Sequence, residues 1–289
     1  MQLLDPYIYD SQFLFLKMDE HLADEYKKTI LSDISCIYIP EINSYIRKEN
    51  WDSNKFSIDI ARILWIENKI DDDIYKEIIN NTAAHKCTYV RLNKEHTFCK
   101  YAQKNDLKLL STKVSQHLDL RNVNFDYDKS FSYHLYLDTM DLRNEIINQV
   151  LDLSKDSFNY NRFKSDPFFT NSQIMEIYRD WIINEVKSKS CSLYYLMENK
   201  EVAAFFLYKS NISPINSVKI GFVSLIASSN KFKKKKYASN LLNYVLSKMR
   251  LDTCFVIANT EIQNNSALSF FSKNNFLITS YLNEYHIWN

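Results

Sequence analysis

The sequence has a single glycine, Gly221, in 289 residues. Ordinary usage of about 7 % would supply on the order of twenty. Turns that need a left-handed backbone must therefore be built from Asn, Asp or Lys, of which Asn and Asp tolerate that conformation best. Asn, Lys, Ile and Tyr are abundant, and an AT-biased genome, which drains glycine and proline codons, is the simplest account. No apolar run approaches the roughly 20 residues of a membrane span. The opening MQLLDPYIYDSQ lacks a basic segment followed by an apolar one, so no secretory leader is expected and a cytoplasmic location is. Neither charge sign dominates: 36 basic residues face 35 acidic ones, a net of +1. That argues against a general nucleic-acid-binding surface or a polybasic membrane surface, though not against a local patch. The five cysteines, Cys36, Cys87, Cys99, Cys191 and Cys254, form no CxxC pair, and an odd count does not suggest a disulfide frame. The six histidines are scattered without metal-ligand spacing to a cysteine, so no metal site is expected.

What is present is a chain able to fold. Hydrophobic residues make up 46 %, which excludes a disordered chain, and the length allows two modest domains. Residues 1–44 are an extension carrying one amphipathic helix near 19–30, with Leu22, Tyr26 and Ile30 at helical spacing. In residues 51–65, Phe56, Ile58 and Ile60 alternate with Ser57, Asp59 and Ala61, the pattern of a strand. Residues 87–92 and 107–118 predict two more strands with a helix between them. A small α/β unit over residues 45–135 follows.

From residue 136 the pattern changes. Leu142, Ile146 and Val150 recur at helical spacing, and Asn171 or Ser172 can cap a second helix with Ile174, Ile177, Tyr178, Trp181 and Ile182 on one face. Two apolar runs, 193–197 and 202–208, flank Asn199–Lys200 and predict a hairpin. The strand 220–227 then runs into a basic turn that opens a helix over 237–250, with Leu241, Leu242, Val245, Leu246 and Met249 on one side. A strand at 254–258, a short helix from Asn264 and a closing strand pair over 277–288 complete a mixed α/β unit over residues 136–289.

Two segments carry the chemistry. The first is GFVSLIASSNKFKKKKYASNLL, Gly221–Leu242. Such a strand–turn–helix aims backbone N–H groups and a helix N-terminus at a pyrophosphate, and Lys233, Lys234, Lys235 and Lys236 place cationic charge beside it. The bland alternative is a solvated lysine-rich loop, or a patch for nucleic acid or anionic lipid. The second is NNSALSFFSKNNF, Asn264–Phe276, where Asn264 caps a helix, which is also its bland reading.

Their order resembles the coenzyme A cradle of the GNAT superfamily of N-acetyltransferases. The resemblance implies acetyl-CoA as co-substrate, with Leu225, Ile226, Ala227, Lys233, Lys234, Lys235, Lys236, Tyr237, Ala238, Asn264 and Phe271 around it. Against the family's turn, the small residue is kept as Ala238 and the glycine is Lys236. In Asn-x-x-Ala-x-x-Phe-Tyr-x-Lys-x-Gly-Phe, Asn275 replaces the glycine. Phe271 replaces the tyrosine whose hydroxyl, in many members, protonates the leaving thiolate. The implied fold is a GNAT fold, a mixed and largely antiparallel sheet flanked by helices, preceded by a smaller truncated GNAT-like α/β domain.

Further pieces, in order along the chain, resemble the TDP-fucosamine acetyltransferase group: Trp51-Asp52-Ser53 with Phe56, Arg162-Phe163, Asp166-Pro167-Phe168, Tyr178, Trp181-Ile182, Thr260, and Tyr285-His286-Ile287-Trp288. That group acetylates the amine of a nucleotide-linked deoxyamino sugar used for surface polysaccharides such as O-antigens. The resemblance implies this small molecule as partner, held between the two units, and a homodimer. Arg162 and Asp166 are candidate sugar-nucleotide contacts, or else a pair fixing a loop to the core. Trp181 is expected in the core, and His286 as a structural histidine.

The implied chemistry is direct transfer, in which a neutral amine attacks a thioester whose carbonyl oxygen is held by N–H groups near 225–227. The candidate catalytic residues are Asn264, Tyr237 and Asp106. The group's base position falls on Ser111, which is unsuited, so Asp106 or Asp119 are substitutes. Tyr237, Tyr281 or Tyr285 could replace the missing acid. Acid–base assistance is worth about 10²–10⁴-fold and proximity roughly 7–11 kcal/mol, so an enzyme altered at both positions is compatible with the sequence. An acetyltransferase for another amine, and a binding protein that keeps the fold without catalysis, are the alternatives.

Overall fold

The computed structural model describes residues 36–40, 44–64, 66, 70–121, 123–136, 145–155, 157–187, 191–212, 219–232 and 235–289. The helix anticipated near 19–30 and Leu142 lie outside them. The strands are β1 (Cys36–Ile39), β2 (Ser44–Lys48), β3 (Ile60–Ile63), β4 (Cys87–Asn93), β5 (Leu109–Asp119), β6 (Ser132–Tyr136), β7 (Cys191–Glu198), β8 (Glu201–Ile212), β9 (Lys219–Ser228), β10 (Phe255–Glu261) and β11 (Leu277–Trp288). The helices are α1 (Asn50–Phe56), α2 (Asp72–Thr82), α3 (Thr97–Lys104), α4 (Glu145–Lys155), α5 (Arg162–Ser165), α6 (Asn171–Lys187), α7 (Tyr237–Met249) and α8 (Asn265–Lys273).

All eleven described strands lie in one sheet, in the order β1-β2-β3-β4-β11-β5-β10-β9-β8-β7-β6. Only β3–β4 and β9–β10 are parallel. The sheet is therefore mixed and largely antiparallel, as the sequence predicts. Strand β11 threads between β4 and β5, pairing Tyr285 with Val90 on one side and Leu282 with Lys113 on the other.

Period-two patterning puts alternate residues of β8 on opposite faces. Ala204, Phe206 and Tyr208 pack against Leu241, Leu242, Val245 and Leu246 of α7. Phe205 and Leu207 pack against Ile147, Val150 and Leu151 of α4 and Ile182 of α6. Around the first strands, Tyr75 and Ile78 of α2 and Phe98 of α3 join Val90 and Tyr285 in a separate core.

Turn chemistry follows the glycine shortage. Asn199 (φ 50°) and Lys200 (φ 67°) make the β7–β8 hairpin, as anticipated, and Asn275 (φ 65°) ends α8 in place of glycine. Ser57, Asp106 and Lys236 are also left-handed. Gly221 has no positive φ. It serves close approach: a Cβ there would meet Tyr208 Oη at 2.5 Å, Cε2 at 2.7 Å and Cζ at 2.9 Å.

Three local expectations are corrected. The strand pair expected over 277–288 is one continuous strand, β11, whose two sides pair with β4 and β5. The strand read from Phe56, Ile58 and Ile60 is a helix, Asn50–Phe56, then a left-handed Ser57, with extended pairing starting only at Ile60. Tertiary contacts override the alternation: Phe56 packs on Phe163 and Phe169 at 4.6 and 4.5 Å, and Ser53 Oγ accepts from Ile60 N at 2.9 Å. Helix α6 is capped by Thr170, not by Asn171 or Ser172. Thr170 and Gln173 form a reciprocal capping box, Gln173 Oε1 accepting from Thr170 N at 2.9 Å.

Candidate active site

The site begins where two strands part. β9 and β10 pair in parallel from Ile220 and Phe255 up to Val223 and Ala258, and no further. β9 continues to Ser228 against β8 alone, and β10 continues to Glu261 against β5 alone. At the fork the β8–β9 register slips: Leu207 faces Leu225 but Tyr208 faces Val223, leaving Ser224 as the extra residue of a bulge. A bulge increases twist and bends its strand, which here turns β9 away from β10. Beyond the fork, the alternate backbone groups of 224–228 that face away from β8 have no strand opposite them among the described residues, and so can meet a ligand.

The opening is a cleft of about 810 Å³. Leu225, Ile226 and Ala227 line one wall, and Asn259, Thr260 and Glu261 the other. Ala238, Asn264 and Phe271 reach it from α7 and α8, and Trp51, Asp52, Arg162, Phe163, Tyr178 and Trp181 from α1, α5 and α6. Seven of the fourteen candidate site residues named above line it: Arg162, Leu225, Ile226, Ala227, Ala238, Asn264 and Phe271. Asn264 Oδ1 caps α8, accepting from Ala267 N at 3.1 Å. Phe271 is buried between Phe270 and Phe276, both at 5.2 Å. Trp181, expected in the core, is half-buried on the cleft, and its Nε1 donates to Glu185 and Ser224.

The lysine turn is only partly described, because Lys233 and Lys234 lie outside the described residues. Lys236 takes the left-handed conformation (φ 54°, ψ 29°) just ahead of α7, so the backbone that glycine would allow is adopted by a lysine. Lys235 pairs with Glu198 at 2.6 Å on the β7–β8 hairpin. Neither Lys235 nor Lys236 lines the cleft.

Other candidates stand elsewhere. Tyr237 is a core residue, edge-on to Phe131 at 5.0 Å, and its hydroxyl is pushed up by burial and by Glu198. Asp106 is exposed in the turn after α3, and Asp119 pairs with Arg121 at 2.6 Å. Tyr281 lies under Lys94, 4.4 Å from ring centroid to Nζ, and Tyr285 is in the core beside α2 and α3. Asp166 is buried, accepting from His286 Nδ1 at 2.6 Å and Trp288 Nε1 at 2.9 Å. Burial pushes its carboxyl up, but His286, Phe168 N–H and Trp288 hold it below the usual range. Asp166 and His286 thus fix the α5–α6 loop to β11, the bland alternative for both.

Sequence reasoning missed a buried ionic floor. Glu284 accepts from Arg91 Nη2 at 2.9 Å and pairs with Arg162 Nη1 at 3.3 Å, and Asp52 accepts from Arg162 Nη2 at 2.6 Å. Lys113 and Glu261 face each other directly across β5 and β10. All but Arg91 line the cleft. Burial, with Arg91, pushes the Lys113 ammonium down to about 7, against Glu284 and Glu261. Burial and the Glu284 charge push the Glu261 carboxyl up. The signal was in the sequence: Lys113 is two residues from Ser111 and so shares its face of β5, and Glu261 follows Thr260.

Residues 148–276 match the model of the acetyltransferase (GNAT) family. No curated protein matches the chain at a significant level. Among solved structures, a functionally unknown conserved protein from Staphylococcus epidermidis ATCC 12228 is similar with TM-score 0.60 at 10 % identity, over 91 % of this chain and 97 % of its own. A tandem GNAT protein from the clavulanic acid biosynthesis pathway gives 0.52 at 9 %, over 78 % and 74 %. An acetyltransferase of the GNAT family from Colwellia psychrerythraea gives 0.50 at 9 %, over 100 % and 98 %. At these identities the likeness is one of fold.

Proposed function

We propose that this chain, whose residues 148–276 match the GNAT family model, transfers the acetyl group of acetyl-CoA to the amine of a small acceptor. The fork between β9 and β10 carries this reading. Its bulge at Ser224 and unpaired outer edge over 224–228 suit the amides of a pantetheine arm, which can bond to them as an added strand would. Lys233–Lys236 and the start of α7 would take the phosphates, and Asn264 and Phe271 would flank the thioester end. Backbone N–H groups of 225–227 would hold the carbonyl oxygen as charge develops on it.

The acceptor in this reading is a nucleotide-linked deoxyamino sugar, as used in surface polysaccharides. Its support is the gathering of Trp51, Asp52, Arg162, Phe163, Tyr178 and Trp181 on one cleft, since these carry the resemblance to sugar-nucleotide acetyltransferases. Residues 45–135 would then be the acceptor unit and 136–289 the donor unit.

One observation favours a second reading. Glu49, Asp52, Glu185, Glu261 and Glu284 line the cleft against Lys113, Arg162 and Lys209. Such a lining suits a cationic amine without a diphosphate. The test is a thermal-shift titration with coenzyme A, followed by assay of free thiol release with dTDP-4-amino-4,6-dideoxygalactose and with spermidine. Ligand at about 100 times its Kd should stabilise the protein by about 2.7 kcal/mol. Absence of any shift with millimolar coenzyme A would refute the acetyltransferase reading, and turnover of spermidine alone would select the second acceptor class.

A further inference from the structure

We propose that Lys113 is the general base of this site, taking the proton from the acceptor ammonium, with Glu261 opposite it as a positioning residue. The assignment rests on the acetyl-transfer reading above and deepens it. Elimination supports it first. Asp106, Asp119, Asp166, Tyr237, Tyr281, Tyr285 and His286 do not line the cleft. Of the five acids that do, Asp52 and Glu284 are engaged by Arg162, Glu185 by Lys209 and Glu49 by Arg47. Glu261 is the fifth: Lys113, Arg91 and the Ser111 hydroxyl act on its carboxyl, while its Oε2 is buried without a hydrogen-bond partner.

Placement supports it next. Glu261 ends the β10 arm three residues ahead of the Asn264 cap, and Lys113 is its direct cross-strand partner on β5. Directly opposed residues of an antiparallel pair have Cβ atoms about 4.5–5.5 Å apart, so the two side chains act on each other. Arg91 from β4, Arg162 from α5 and Glu284 from β11 are the other charges bearing on Lys113.

The ionisation that results fits a base. An effective base titrates near the working pH, and an ammonium brought down to about 7 is substantially neutral there. Burial is the main cause, Arg91 and Arg162 add to it, and Glu284 and Glu261 oppose it.

The step balances. Neutral Lys113 Nζ accepts one proton from the acceptor R–NH3+. The freed lone pair forms the C–N bond to the thioester carbon while the carbonyl π pair moves to oxygen. When that pair returns, the C–S bond breaks and its electrons leave on sulfur. A second proton from the nitrogen passes to sulfur to give the thiol, and Lys113 releases its own to water.

The test uses the full chain and two readouts. Trace labelling with acetic anhydride, followed by mass spectrometry across pH, reports each lysine's own titration. Lys113 should label with a midpoint near 7, far below the roughly 10.4 of surface lysines. In thiol-release assays with the two acceptors above, kcat/KM should rise through the same midpoint. Lys113→Met and Lys113→Arg should each lose about 10²–10⁴-fold in kcat while coenzyme A still raises the melting temperature as in wild type. Glu261→Gln should fold, keep measurable turnover and shift the midpoint downward, because the glutamate's charge raises that of Lys113. A Lys113 midpoint above 10, or Lys113→Met within threefold of wild type, overturns the proposal. So does an abolished reaction in Glu261→Gln with Lys113→Met still active, which would make the glutamate the base. If millimolar coenzyme A gives no thermal shift, the acetyl-transfer reading falls and this assignment falls with it; with that shift present and neither acceptor turned over, the labelling midpoint of Lys113 decides the assignment.

Discussion

Replacing the lone glycine tests whether the chain keeps it for space. In Gly221→Ala the new Cβ meets the Tyr208 ring at 2.5–2.9 Å, well inside van der Waals contact, so the ring must move. Tyr208 is buried, edge-on to Phe206 at 6.0 Å, and its hydroxyl lies 3.2 Å from Thr253 Oγ1. Overpacking costs about 1–3 kcal/mol, and loss of the hydroxyl contact about 0.5–1.5. Against these, alanine in extended backbone restricts the unfolded chain, a gain of about 0.4–1 kcal/mol. The clash wins, with a net loss of about 2 kcal/mol. At about 2.1 cal/mol/K of unfolding entropy per residue, that lowers Tm by about 3 °C. Urea titration should show a lower midpoint with an unchanged slope. In a Tyr208→Leu background, where the ring is gone, the alanine should cost far less, giving a coupling energy above about 1 kcal/mol. A Gly221→Ala protein within about 0.5 kcal/mol of wild type, or a cost equal in both backgrounds, would refute the steric account.

Glu284 sets an acid limb. Burial pushes its carboxyl up, but Arg91, Arg162 and Lys113 hold it well below the usual 4.5. A depressed folded value means its contribution is full above about 4.5 and is lost as pH falls toward the folded value. Glu284→Gln should therefore flatten the decline of urea midpoint between pH 5 and 3 while lowering stability at pH 7 by about 3–5 kcal/mol, since Arg91 and Arg162 are left buried without it. Asn264→Ala should cost about 1 kcal/mol through the lost cap, read by the same titration, and should also weaken coenzyme A binding in a thermal-shift series. Phe271→Tyr should raise turnover severalfold if the site transfers acetyl groups, measured by thiol release; no change would fit a binding protein without catalysis. Glu198→Gln should tighten coenzyme A binding at low salt by releasing Lys235, with the gain erased at high salt.

The parts of this fold written in local pattern were legible. The α7 stripe, the Asn199–Lys200 hairpin and the left-handed Asn275 each follow from a few neighbouring residues. The segment over 51–60 was misread because Phe56, Ile58 and Ile60 fit two periods, and only packing on Phe163 and Phe169 chooses between them. The site divides in the same way. Asn264, Ala238 and 225–227 were legible from motif order, and all line the cleft. Lys113 and Glu261 sit beside motif positions, yet their chemistry, like that of Glu284, depends on which strands become neighbours. That adjacency arises from the β5–β10 pairing, which sets Glu261 opposite Lys113 148 positions away, and from the entry of β11 between β4 and β5, where partners are 160 or more positions apart. Asp106 and Asp119 were chosen by residue type near the expected base position, and type alone does not say which face of a sheet a side chain meets.

Strand β11 has a consequence for how the protein is born. β4 and β5 leave the ribosome long before the strand that will lie between them, so their edges stay raw while about 180 and about 160 more residues, respectively, are translated. Exposed edges of this kind are templates for pairing with other chains. The nascent protein therefore has a window of vulnerability that closes only when Leu277–Trp288 slides into the gap and sews the two halves together. Conditions that slow translation late in the message should show up as aggregation before they show up as lost activity.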